Sequence, residues 1–426
     1  MAHPDPIRSA VPPMPFPAAA AARRPKLLFL VTEDWYFCSH RLPVARAARE
    51  AGFEVVVATR VREHGAQICD EGFALRSIAW RRRGDGLLRT ARAIAAIARL
   101  YRAERPDILH HVALKPVLFG SLARHLAFAR SDHAPASVAS VMGLGSGFTA
   151  MTAAARLRRP PLGLALRLAA SSGRDWVVVQ NPEDRAALVA LGIDPARIAL
   201  IRGSGVDIHH FGPLPEPNGG IVRVALVSRM LRGKGVLEAA AAIRRLRARG
   251  LNIELLLAGP TDPDNANSLT AEGLRSLAAE PGIEWLGAVA DVRAVWRRAA
   301  IAVLPSTYGE GVPKALLEAA ACGRPLVAAD VPGCREAVRP GETGLLVPPH
   351  DVDALAAAIA ALAADPARRA RMGQAGRALI EAQFTDEIVA RETLALYRAA
   401  IANRRQGPAL TDNSGRKSQN DRAHHQ

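Results

Sequence analysis

The chain has 426 residues, 49% of them apolar, which is too long for one typical core and suits two domains of roughly 200 residues each. Its net charge is +16, with residues 26–212 carrying an excess of ten basic residues and residues 213–405 an excess of three. Such a field attracts phosphates on nucleic acid, anionic lipid or a substrate. Aromatics at 4% argue against the basic and aromatic surface of a single-strand nucleic-acid binder. The four cysteines, Cys38, Cys69, Cys322 and Cys334, have no zinc-ligand spacing, so reduced thiols in the cytosol are expected. No uncharged apolar run of about 18 residues occurs, so no membrane-spanning helix is predicted.

In chain order, residues 1–25 read as a disordered Pro/Ala tail without the basic and apolar regions of a signal peptide. Short apolar runs then alternate with helical stretches. "KLLFLVT" (26–32), "EVVVAT" (54–59), "ALRSIAW" (74–80), "ILHHVA" (108–113), "SVASVMG" (137–143) and "DWVVVQN" (175–181) predict six strands in the first half. "VRVALVS" (222–228), "IELLLAG" (253–259), "IEWLGA" (283–288), "IAVLPS" (301–306), "PLVAAD" (325–330) and "GLLVP" (344–348) predict six in the second. This alternation is the signature of parallel, doubly wound sheets. The predicted fold is α/β: two Rossmann-like domains, 26–212 and 213–385, facing a cleft, then a helix over 386–405 and a polar tail over 406–426. The Pro/Gly-rich stretch "FGPLPEPNGG" (211–220) reads as the join and as a hinge.

Chemistry concentrates in the second half. In "STYGEGVPKALLEAAACG" (306–323), Pro313 suits a helix start and Gly323 its stop. Gly309 and Gly311 let the backbone approach a ligand, and the amides of Gly311 and Val312 would offer a helix N-terminus to a diphosphate. Glu310 and Glu318 can accept hydrogen bonds from ligand hydroxyls. On spacing alone they can equally be a capping acid and a surface residue, and Lys314 can be a ligand cation or solvated. In "VALVSRMLRGKGV" (224–236), Arg229 and Lys234 follow a strand, where two cations fit a departing diphosphate. A solvated basic loop is the plainer alternative.

Together, "EGVPKALLE" and "RMLRGK" resemble the retaining glycosyltransferases of the GT-B fold, family 4, and similar text runs through nearly all of residues 26–400. The resemblance implies that Arg229 and Lys234 neutralise the donor diphosphate and that Glu310 holds the transferred sugar. It implies further that Glu318 holds the ribose, that Gly311 and Val312 meet the phosphates, and that Gly259 approaches the base or ribose. It implies no metal and no cofactor, and no metal-binding Asp-x-Asp run is expected.

The first half is looser. "TEDWYFCSHR" (32–41) stands where relatives carry a Gly-rich loop between strand and helix. "SHRLP", "HHVALKPVLFGSLAR" and "VMGLGSGF" nevertheless resemble bacterial enzymes that extend lipid-linked oligosaccharides. That implies a UDP-sugar donor, often an N-acetylhexosamine, and an acceptor on polyprenyl diphosphate, in surface polysaccharide synthesis. His40, His110 and His111 lie near strand ends, where an imidazole can position an acceptor hydroxyl or fill a core; His111 is the catalytic candidate. Arg41 and Lys115 can hold an acceptor phosphate or be surface charges, and "GLGSG" (143–147) can form a phosphate loop. The basic helical stretches 80–106 and 155–174 can lie on an anionic leaflet or pack with a solvated arginine face. The expected setting is therefore cytoplasmic, peripheral on the inner face of the membrane. Alternatives are a nucleotide-sugar epimerase of the same fold and a nucleic-acid-binding protein.

Overall fold

The computed structural model describes residues 23–405 apart from 81–85, 130, 132–133, 144–162, 164–165, 168–174 and 218. The first domain is a seven-stranded sheet of β1 (Lys26–Glu33), β2 (Glu54–Arg60), β3 (Ala74–Ser77), β4 (Ile108–Val112), β5 (Ala136–Ser140), β6 (Trp176–Val179) and β7 (Ile198–Leu200). Their order is β3-β2-β1-β4-β5-β6-β7, with every pairing parallel. The second domain is a six-stranded sheet of β8 (Val222–Val227), β9 (Ile253–Ala258), β10 (Ile283–Trp285), β11 (Ile301–Leu304), β12 (Leu326–Ala329) and β13 (Gly344–Val347). It is also parallel, in the order β10-β9-β8-β11-β12-β13. Continuous apolar runs suit strands covered on both faces, and β4 and β11 are buried along their whole length.

Two details differ from expectation. The first sheet has a seventh strand, β7, three residues long after a turn capped by Asp194, which is too short to show a period in sequence. No loop separates β1 from the next helix, Asp34–His40. Asp34 is buried and accepts hydrogen bonds from the N–H groups of Trp35 (2.8 Å), Arg62 (2.6 Å) and His64 (3.0 Å), which fixes the helix start directly to the strand end.

Strand order reverses between β1 and β4 and between β8 and β11. At such switch points, segments leave the carboxyl ends of neighbouring strands in opposite directions and open a crevice. The two crevices face each other.

The join is held by side chains of the second domain. Arg377 donates to the carbonyls of Phe211 (2.6 Å) and Ile208 (3.2 Å), Arg324 to that of Pro215 (2.7 Å), and Arg369 to Glu216 (2.7 Å). These arginines bind segment 208–216 to the second domain. The chain crosses between domains at Val206 and returns at Thr385, and the two crossings pair as a parallel bridge.

After the return, helix Asp386–Arg405 packs on the first domain, where Val389, Leu396 and Tyr397 join its core. The Tyr397 hydroxyl shares a hydrogen bond with His110 Nδ1 at 2.5 Å, and His110 Nε2 shares one with Ser140 Oγ at 2.7 Å. Tyr397→Phe should leave His110 Nδ1 buried without a partner and lower stability by roughly 1–3 kcal/mol. Urea unfolding should read this as an earlier midpoint. An unchanged midpoint would show that the helix is not held this way.

Candidate active site

The carboxyl ends of the two sheets enclose a cleft of about 670 Å³, lined by Asp34, Trp35, Arg62 and His64 on one wall and by Arg229, Gly259, Asp262 and Val289 on the other. A smaller cavity of about 290 Å³ lies behind the second domain, around the arginines that clamp the linker.

Arg229 follows β8 and reaches the cleft. Its guanidinium pairs with Asp262 and lies 5.6 Å from the centre of the Trp35 ring on the opposite wall. Gly259 ends β9 with φ 141°, and a Cβ there would collide with the Ser228 carbonyl oxygen. Only glycine therefore lets the ends of β8 and β9 close up beneath the cleft.

Lys234 stands in a 3₁₀ turn, Arg232–Lys234, ended by Gly235 at φ 74°. Its ammonium donates to the Glu310 carboxylate, which also accepts from Ser306 Oγ. Both charged side chains are largely buried, 16% and 9% exposed. Burial works against the Lys234 ammonium, but the Glu310 charge and hydrogen bond outweigh it and raise the pKa above the ordinary lysine value. The Arg229 charge also acts on Lys234, so Arg229, Lys234 and Glu310 form one electrostatic cluster.

The acidic loop itself touches the first domain. Val312 N–H donates to Gln180 Oε1 at 2.9 Å, so it is not the free amide expected from sequence. Gly143 packs so closely on Glu310 and Gly311 that a Cβ would collide with them. The other residues of the "GLGSG" run, 144–147, lie outside the described residues.

Glu318 lies one turn inside helix Lys314–Ala321 and is not among the cleft-lining residues. Burial pushes its carboxyl up to about 7; Asp386 adds to the shift and Lys314, 3.9 Å away, opposes it. Lys314 is not simply solvated. It donates across the domain boundary to the Ser39 carbonyl at 2.5 Å.

The histidines are placed differently from expectation. Adjacent strand residues point to opposite faces of a sheet, and β4 therefore turns His110 toward the C-terminal helix and His111 toward helix Leu87–Glu104. His111 is buried, shares a 3.0 Å hydrogen bond with Tyr101 and packs against Gly120. Burial takes its pKa down to about 3. It lies within the core, away from the cleft-lining residues. His40 stacks on Tyr36 at 4.1 Å, and burial, with Lys314 and Arg41 nearby, holds its pKa well below the usual value. Arg41 is buried, donating to Met142 Sδ at 2.7 Å. Lys115 lies over the Trp80 and Phe119 rings at 5.7 and 5.1 Å.

Sequence reading misses three features of the cleft. Trp35 is one. Another is the run Asp262-Pro263-Asp264, one of two Asp-x-Asp runs in the chain, with Asp351-Val352-Asp353, where the sequence reading finds none; Asp262 pairs with Arg229, and Asp264 pairs with Arg60 and Arg62 across the cleft rim. The third is Gln180. The signal for Asp262 was its place just beyond β9, at a strand's carboxyl end.

Residues 222–365 match the family model of glycosyl transferases group 1, and residues 26–172 match that of glycosyl transferase 4-like domains. A D-inositol 3-phosphate glycosyltransferase of Kribbella flavida is 34% identical over 258 residues, 57% of this chain and 60% of the relative. An N,N'-diacetylbacillosaminyl-diphospho-undecaprenol alpha-1,3-N-acetylgalactosaminyltransferase of Campylobacter jejuni is 27% identical over 85% of this chain and 96% of the relative. The chain thus spans 60% of the first relative, less than two thirds, and nearly all of the second. Sucrose-phosphate synthase from Thermosynechococcus elongatus superposes with a TM-score of 0.73 at 23% identity, over 89% of this chain and all of that one. Anabaena HepE in complex with UDP-glucose gives 0.69 at 18% identity, over 87% and 99%. By its two family matches and its paired Rossmann-like domains, the chain belongs to the group 1, family 4 glycosyltransferases of the GT-B fold.

Proposed function

We propose that the protein moves a sugar, a hexose or N-acetylhexosamine, from a UDP-sugar to a hydroxyl of a glycan carried on polyprenyl diphosphate, with retention and without metal. The observation that carries this reading is the buried Lys234–Glu310 pair beside Arg229 at the mouth of β8 and β11. A diphosphate is met by the two cations, and Glu310, released from Lys234, accepts hydroxyls of the transferred sugar. The bond from the anomeric carbon to the diphosphate oxygen breaks while that to the acceptor oxygen forms on the same face. The acceptor's hydroxyl proton passes to the departing diphosphate. Glu318 accepts from the ribose. His111, buried beneath the sheet, would serve by holding β4 through Tyr101.

The acceptor class is supported by the Campylobacter relative, whose name specifies an undecaprenol-linked substrate. The donor class is supported by the UDP-glucose complex of the structural neighbour. Helix Leu87–Glu104 supports contact with an anionic membrane surface. It opens with Leu87 and Leu88, 90% and 76% exposed, beside exposed Arg89 and Arg92. Apolar insertion flanked by cations is the chemistry of leaflet binding. The second basic stretch, 155–174, lies almost wholly outside the described residues.

Calorimetry with UDP-, GDP- and ADP-sugars should give micromolar binding of one nucleotide class in EDTA. Lys234→Ala and Glu310→Ala should each weaken it by about 100-fold or reduce transfer by as much. Undiminished binding in both variants would remove these residues from the donor site. Leu87→Asp/Leu88→Asp should abolish co-sedimentation with vesicles containing anionic lipid but leave donor binding intact. Retained co-sedimentation would exclude this helix tip as the contact.

Glu318 generates a pH prediction. Its folded pKa of about 7 exceeds the ordinary 4.5, so the neutral form favours the fold. That contribution is complete below pH 4.5 and lost as pH rises through 7. Glu318→Gln should therefore melt a few degrees above the wild type at pH 8 and level with it near pH 4.5. A lower melting point at pH 8 would mean that the carboxylate form is the stabilising one.

A further inference from the structure

Trp35 occupies a singular place in the cleft. The other side chains that the first domain contributes to its wall are Glu33, Asp34, Ser39, Arg62, Glu63 and His64. Among these described residues the Trp35 indole is the only extended apolar surface. It is rigidly mounted: buried Asp34 ties its backbone N–H to those of Arg62 and His64, and the Tyr36 ring meets it edge-on at 5.6 Å. Across the cleft, Arg229 lies 5.6 Å from the ring centre and is paired with Asp262.

We propose that Trp35 is the ring platform of the sugar site, taking the C–H face of a pyranose on the indole where the Arg229 guanidinium now sits. A pyranose carries hydroxyls around its edge and C–H bonds on its faces. Arginines and carboxylates can satisfy the edge, but a face leaves water favourably only against an apolar plane. The guanidinium over the ring shows that the indole face is reachable from the opposite wall. A diphosphate competes for Arg229 more strongly than a neutral ring does, so donor binding vacates the indole as it fills the cation site. The ring next to that diphosphate is then within one sugar's length of Trp35. This inference rests on the transferase reading. Two sugars share this chemistry: the one transferred and the terminal sugar of the acceptor.

The test uses the full chain as wild type, Trp35→Ala and Trp35→Tyr. Each is titrated with the free nucleotide diphosphate and with the nucleotide sugar that the wild type binds. Each is then assayed for transfer to a polyprenyl-diphosphate-linked N-acetylhexosamine, with KM and kcat separated. Trp35→Ala should bind the free nucleotide as the wild type does. It should then show a loss of roughly tenfold either in nucleotide-sugar affinity, which assigns the platform to the transferred sugar, or in acceptor KM, which assigns it to the acceptor. Trp35→Tyr should recover most of the loss and guards against a folding defect. The proposal falls if Trp35→Ala matches the wild type in both measurements. It also falls if free nucleotide and nucleotide sugar weaken equally, because Trp35 would then only position Arg229. A wild type that binds no nucleotide sugar would overturn the transferase reading, and this proposal with it.

Discussion

A charge withdrawn from water has to be paired, and the cleft is organised around that requirement. Lys234 is paired with Glu310, Arg229 with Asp262, and Arg60 and Arg62 with Asp264. The cations and acids come from segments just beyond β2, β8, β9 and β11, all leaving the same edges of two parallel sheets. Parallel topology brings those segments together; burial then obliges Lys234 and Glu310 to neutralise one another, while Arg62 and Asp264 pair at the exposed rim. The +16 of the whole chain therefore does not appear as a basic cleft. Among the described residues, Arg89, Arg92 and Arg99 are exposed on helix Leu87–Glu104 of the first domain.

Much of this architecture is legible in the sequence because parallel strands buried on both faces read as unbroken apolar runs. Every predicted strand forms. The one missed, β7, has three residues at a sheet edge and no room for a pattern. The association of "RMLRGK" with "EGVPKALLE" was legible only through resemblance, since Lys234 and Glu310 stand 76 positions apart. What the sequence did not disclose is orientation. Two consecutive histidines in a five-residue buried strand must face opposite sides, and that simple alternation would have removed both from the cleft. Val312 could not have been foreseen, because its partner Gln180 belongs to the other domain. Trp35 was hidden because the helix starts at Asp34 and no loop intervenes.

The domains are joined by two kinds of contact. The C-terminal helix is fixed by buried apolar packing and the Tyr397–His110–Ser140 chain of hydrogen bonds. The other contacts between the domains include exposed ion pairs, Arg62 with Asp264 and Arg335 with Glu183, the Lys314 bond to the Ser39 carbonyl, and the buried hydrogen bond from Val312 N–H to Gln180. Exposed ion pairs contribute about 0–1 kcal/mol each, so those two add little to the hold between the domains. Segment 208–216 is bound to the second domain, and the chain passes between the domains at the paired crossings Val206 and Thr385.

The same pairing constrains what can enter. A ligand that draws Arg229 and Lys234 away from their partners takes one cation from Asp262, in the cleft wall, and one from Glu310, which keeps the Ser306 hydroxyl. An inorganic anion would satisfy the cations and offer the acids nothing for the ion pairs they give up, and losing the partner of a buried charge is costly. A ligand with an anionic group and several hydroxyls one ring apart satisfies both sets at once, because each displaced carboxylate then accepts from a hydroxyl. On the proposed reading, a sugar joined to a diphosphate suits these four side chains by charge alone, before any contact specific to one sugar is considered.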